Sequence, residues 1–144
     1  MKTALLLAGL LALFANPRPL HAQDNRKTEA RRLALELAGA FSNDGFRLRD
    51  GHWCETVAAG RPRLVEVNLH AGNLYWFSLA SADPSIPVTL TVYDETGRLM
   101  EGERLAEPGR AAAAFAPKTS GPYYLKVDTS SPELTTFCLL YSYR

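Results

Sequence analysis

The sequence predicts a mainly β protein: an antiparallel β-sandwich, jelly-roll-like, with one N-terminal amphipathic helix. Three observations predict it. Helical spacing of apolar residues is confined to one stretch before Gly45. After Gly45, short runs alternate apolar and polar residues with a period of two, separated by turns bearing Pro or Gly. No helical pattern lies between those runs, which excludes a parallel α/β sheet for want of crossover helices.

The chain opens on an address. Met1-Lys2 precedes an apolar run from Thr3 to Ala15, which stops at Asn16-Pro17-Arg18-Pro19. That run is shorter than the ~20 residues a membrane-spanning helix needs. A basic start, a short apolar centre and a polar tail ending in a small residue make residues 1–22 a signal peptide, cut after Ala22 or, alternatively, after Ala15. Its removal takes away Lys2 and Arg18, so the remaining 122 residues hold 14 basic and 15 acidic side chains. That near balance supplies no electrostatic footprint for nucleic acid. No later stretch is long and apolar enough for a membrane, so the expected product is secreted or periplasmic.

Gln23 to Thr28 is polar and expected to fray. From Glu29 to Phe41 the residues are strong helix formers. Ala30, Leu33, Ala34, Leu37, Ala38 and Phe41 fall on one stripe, predicting a helix that covers an apolar surface. Ser42-Asn43-Asp44-Gly45 ends it, so residues 23–45 are read as helix and turn and 46–144 as the sandwich domain. Val65, Val67 and Leu69 alternate with Glu66, Asn68 and His70; Tyr75, Phe77 and Leu79 follow after the turn Ala71-Gly72-Asn73. Ser81 to Pro87 is loop. Val88, Leu90 and Val92 alternate with Thr89, Thr91 and Tyr93, and Asp94-Glu95-Thr96-Gly97 reads as a hairpin turn into Arg98-Leu99-Met100. Further strands are expected at Trp53–Val57, Ala111–Ala116, Tyr123–Val127 and Thr135–Tyr143.

Cys54 and Cys138 are the two cysteines of an exported chain, which predicts one disulfide. The rival, a Cys nucleophile with His52 or His70 as base, has no local signature. Metal and cofactor sites are not expected: neither histidine has zinc-ligand spacing, and P-loop, GxGxxG and EF-hand patterns are missing. Asp94, Glu95, Glu101 and Glu103 form the densest acidic group, better explained as a solvated hairpin tip than as a calcium site. No GxSxG elbow marks a serine hydrolase. The expectation is therefore that the protein is not an enzyme.

Aromatic residues are the remaining feature. With one strand face buried, the neighbours of the buried residues point the other way, so Trp76, Tyr124 and Tyr93 become candidates for a binding surface. The bland alternative is that the helix or the sandwich covers them, Trp76 above all.

Three segments carry a resemblance. Val67 to Phe77 (Val-Asn-Leu-His-Ala-Gly-Asn-Leu-Tyr-Trp-Phe), Val88 to Gly97 (Val-Thr-Leu-Thr-Val-Tyr-Asp-Glu-Thr-Gly) and Ala113 to Val127, with Ser120-Gly121-Pro122-Tyr123-Tyr124-Leu125-Lys126-Val127 at its end, are similar to bacterial pre-peptidase C-terminal-like domains. The likeness runs from Leu64 to Tyr143. It implies a non-catalytic β-sandwich of the kind attached to secreted enzymes, although no enzyme domain accompanies it within these 144 residues, and it carries over no site residue. The expected function is an exported accessory or binding module that contacts a protein or polysaccharide outside the cytoplasm. The alternatives are a small periplasmic hydrolase with an unrecognised site, or an inhibitor of a secreted enzyme acting through Ser81–Pro87.

Overall fold

The computed structural model describes residues 20–49 and 51–144. The segment before Leu20, which holds most of the expected signal peptide, lies outside the described residues. Helix α1 spans Leu20–Gly39. It begins well before the apolar stripe: Gln23 to Thr28, expected to fray, form complete turns, with the Thr28 hydroxyl donating to Asp24 O at 2.9 Å. A cut after Ala22 falls inside the first turn of this helix. The stripe behaves as its spacing dictates. Ala30 and Ala34 are wholly buried, Leu37 and Ala38 nearly so, and the Arg32 guanidinium bridges Glu29 and Glu36 on the wet side. A 3₁₀ turn over Ser42–Asp44 closes the segment, and Gly45 takes the left-handed φ of 83° that lets the chain reverse.

Nine strands follow: β1 (Arg47–Leu48), β2 (Trp53–Val57), β3 (Arg63–Leu69), β4 (Tyr75–Ser81), β5 (Val88–Asp94), β6 (Arg104–Glu107), β7 (Arg110–Phe115), β8 (Gly121–Thr129) and β9 (Thr135–Tyr143). They form two antiparallel sheets. The larger has the order β1-β9-β4-β7-β6, with β2 also pairing β9 beyond β1; the smaller has the order β3-β8-β5. From β2 to β5 each strand is followed by one in the opposite sheet, and β7, β8 and β9 alternate in the same way. This is a jelly-roll-like sandwich in which β6–β7 is the one hairpin between successive named strands. The turn at Asp94–Gly97 does fold the chain back, with Met100 N–H donating to Val92 O at 2.8 Å, but the return is only an isolated bridge, Tyr93 to Leu99.

Alternation sorts side chains into layers. Val67, Leu69, Leu90, Val92, Leu125 and Val127 face inward from the smaller sheet, against Tyr75, Phe77, Leu79, Phe137 and Leu139 of the larger. The larger sheet's other face lies under α1, where Ala30 and Ala34 meet Ala80, Cys138 and Leu140. Small residues on both sides let the helix approach the sheet closely. The disulfide sits in that second layer: Cys54 and Cys138 are directly opposed in the β2–β9 register, their Cα atoms 4.1 Å apart. With both thiols joined, the Cys-nucleophile alternative is removed. Ser78, also under α1, is wholly buried, and its hydroxyl has no hydrogen-bond partner among the described residues.

Candidate functional site

Among the described residues the smaller sheet is covered on one face only. Its inward residues fill the core, and the residues between them lie exposed or half-buried on the other face. The register places Glu66, Tyr124 and Tyr93 in one row across β3, β8 and β5. The next row is Leu64, Lys126 and Thr91; Thr89 and Asp128 pair beyond it, and Asn68 and Pro122 lie on the opposite side. Tyr93 and Tyr124 are half-buried, while Glu66 and Asn68 are exposed. Directly opposed side chains on adjacent strands have Cβ atoms about 5 Å apart, so the two tyrosine side chains leave the sheet from neighbouring positions. Lys126 Nζ lies 3.8 Å from Asp128 Oδ2 on the same strand. The face therefore offers two aromatic rings flanked by carboxylate, ammonium, amide and hydroxyl groups.

Trp76 does not join them. It projects from the larger sheet toward the helix side, where its ring stacks on Phe41 with centroids 4.3 Å apart and planes 9° from parallel. The candidate surface thus narrows to Tyr93 and Tyr124, and Trp76 acts as a clasp for the end of the helical segment.

Next to this face, at the end of the sandwich, a groove of about 670 Å³ runs between the Asp94–Met100 turn and the loop 116–121. Its wall is fixed by local hydrogen bonds. Asp94 Oδ1 accepts from the Thr96 hydroxyl (2.6 Å), Thr96 N–H (2.9 Å) and Arg98 N–H (3.0 Å). The Thr96 hydroxyl, followed by the Arg98 N–H, holds the Asp94 carboxyl below the usual carboxylate range. Across the groove the Tyr123 hydroxyl donates to Thr119 O at 2.7 Å. Asp94 is thus committed to its turn, and among the described residues no three His, Cys, Asp or Glu side chains gather as a metal site.

The loop Ser81–Pro87 is tied down at both ends. Ser81 N–H donates to Gly109 O and Gly109 N–H to Ile86 O, each at 2.7 Å, and Asp83 Oδ1 accepts from the Ser85 N–H and hydroxyl. Asp83, Pro84 and Ser85 remain exposed at its tip. His52 and His70 are both exposed, and the His70 backbone N–H donates to the Tyr75 hydroxyl at 2.9 Å.

The neighbours of the tyrosines, Glu66, Lys126 and Thr91, were not singled out from sequence. Alternation placed each on a polar face, but only the register shows that these faces coincide. No protein-family model matches the chain, and no curated protein is significantly similar to it.

Proposed function

We propose that this protein is an exported, non-catalytic accessory module of the pre-peptidase C-terminal-like type, which binds polysaccharide through the outward face of β3, β8 and β5. The observation that carries the reading is the opposition of Tyr93 and Tyr124 on a solvent-facing sheet. Phenol rings rising from opposed strand positions give a sugar's C–H face something apolar to lie on, and Tyr hydroxyls with Glu66, Thr91 and Lys126 supply donors and acceptors at its edge. A flat, open face suits a chain passing over it better than a small metabolite, which needs enclosure. The disulfide agrees with an oxidising compartment. Among the described residues no helix is long and apolar enough to cross a membrane.

Native gel electrophoresis through soluble polysaccharides (a β-glucan, a xylan, an alginate and solubilised peptidoglycan) tests the reading. At least one should retard the protein, Tyr124→Ala and Tyr93→Ala should each abolish the retardation, and Trp76→Phe should leave it. Free migration in every gel, or Tyr variants retarded like the parent, refutes it.

A further inference from the structure

The two hydrogen bonds that fold the Asp94 turn back on β5 reveal which backbone groups of β3 are unused. Met100 N–H reaches Val92 O and Asp94 N–H reaches Arg98 O, so Val92 and Asp94 direct their main-chain groups away from β8. Their partners Leu125 and Tyr123 must then direct theirs toward β3, where they meet Val65 and Val67. Leu64, Glu66 and Asn68, between and beside those residues, therefore turn both N–H and C=O to the outer edge. His70 continues the parity, its N–H leaving the sheet for the Tyr75 hydroxyl.

Each of the sandwich's other edges is curtailed. The outer edge of β5 is occupied by residues 98–100 at Val92 to Asp94, β6 is four residues long and is followed by Pro108, and the β1–β2 edge is broken between Leu48 and Trp53. β3 runs for seven residues, and among the described residues β8 is the only strand paired to it. Three donor–acceptor pairs about 6.8 Å apart thus have no partner among the described residues, and the row holds no proline or bulge. Only another extended backbone matches such a row. On either side of it lie Leu64, 64% exposed, and Val65, half-buried against the core, while Glu66 makes no ion pair among the described residues.

We infer that the outer edge of β3 is a docking site for an extended segment of a partner protein, which adds as a fourth strand to β3-β8-β5. The segment carries an apolar residue opposite Leu64 and a basic residue opposite Glu66. A second copy of this chain fits poorly, because self-pairing through these groups sets Glu66 opposite or diagonal to its own counterpart. The docking edge borders the polysaccharide face and shares the Glu66 side chain with it, so the two are told apart by the Tyr93 and Tyr124 variants, which test the face alone, and by exchange of the β3 backbone amides, which tests the edge alone.

The probe is the peptide acetyl-Val-Thr-Val-Lys-Val-Leu-Thr-amide, antiparallel to β3 with its Lys opposite Glu66. In the protein alone, hydrogen exchange followed by NMR should be at least ~100-fold faster at the Leu64, Glu66 and Asn68 amides than at Val65 and Val67. Saturating peptide should slow those three amides by at least about tenfold. Glu66→Pro removes an N–H that β8 does not use, so it should fold and bind the peptide at least ~10-fold more weakly. Glu66→Gln keeps that N–H and should lose only about two- to fivefold. Protected Leu64, Glu66 and Asn68 amides in the isolated monomer, no slowing by millimolar peptide, or equal binding by Glu66→Pro overturns the inference. So does self-association of the protein through this edge in sedimentation. If Glu66→Pro does not fold, the exchange pattern of the unaltered protein with and without peptide decides.

Discussion

Replacing Cys54 and Cys138 together by alanine tests how the larger sheet is held. The bond joins residues 84 apart, and closing a loop of that length removes about 15 cal/mol/K from the unfolded chain, or about 4.5 kcal/mol at 25 °C. Cys138 is wholly buried beneath α1, so the lost sulfurs add on the order of 1 kcal/mol of packing. Small domains are stable by only about 5–15 kcal/mol, so the variant should retain a small remainder. Urea unfolding, followed by circular dichroism and tryptophan fluorescence, reads this directly. With a slope near 1.5 kcal/mol/M the midpoint should fall by roughly 3.5 M, and the slope itself should rise as the unlinked chain expands. A loss below ~1 kcal/mol with an unchanged slope would refute the reasoning, because an 84-residue loop would then not be constraining the unfolded state.

Three further outcomes are expected. Ser78→Ala should be neutral or stabilising by up to about 1 kcal/mol in the same titration, since it deletes a buried hydroxyl that has no partner. Phe41→Ala should lose roughly 2 kcal/mol and, in a Trp53→Phe background, shift the emission of Trp76 to longer wavelength, because it strips the stacked ring from one indole face. Asp94 has a folded pKa below its unfolded value, so its contribution is complete above about pH 4 and is lost as pH falls through the folded value. The stability difference between the parent and Asp94→Asn should therefore stay constant from neutral pH to about pH 5 and shrink below pH 4, read from urea midpoints across that range.

What could be read from the chain was the face, and what could not was the neighbour. Val65, Val67 and Leu69, or Tyr123, Leu125 and Val127, declare a buried side by period alone, because a pleated strand leaves no other way to hide them. The same holds for the alanines and leucines of α1. Period says nothing about which strand lies alongside, so the turn at Ala71–Asn73 gave no sign that it passes between sheets. β1 and β6 escaped notice for a different reason: they are short, exposed edges with no buried side to alternate against. The candidate surface divides in the same way. Tyr124 and Tyr93 followed from alternation, and Trp76 was the aromatic most expected to lie under the helix; what alternation could not show was that Phe41, 35 residues earlier, is the ring that covers it.

β9 is flanked by β1 and β2 on one side and by β4 on the other, and it carries half of the covalent link. Every one of those partners precedes it in sequence. A nascent chain that has not yet presented residues 135–143 therefore offers β1 and β2 nothing to pair with and α1 only half a floor, so little of this structure can be assembled in instalments. Such long-range closure makes for slow, all-or-none folding. For a chain exported as proposed above, late arrival of the keystone strand would act as a built-in delay that keeps it threadable until translocation.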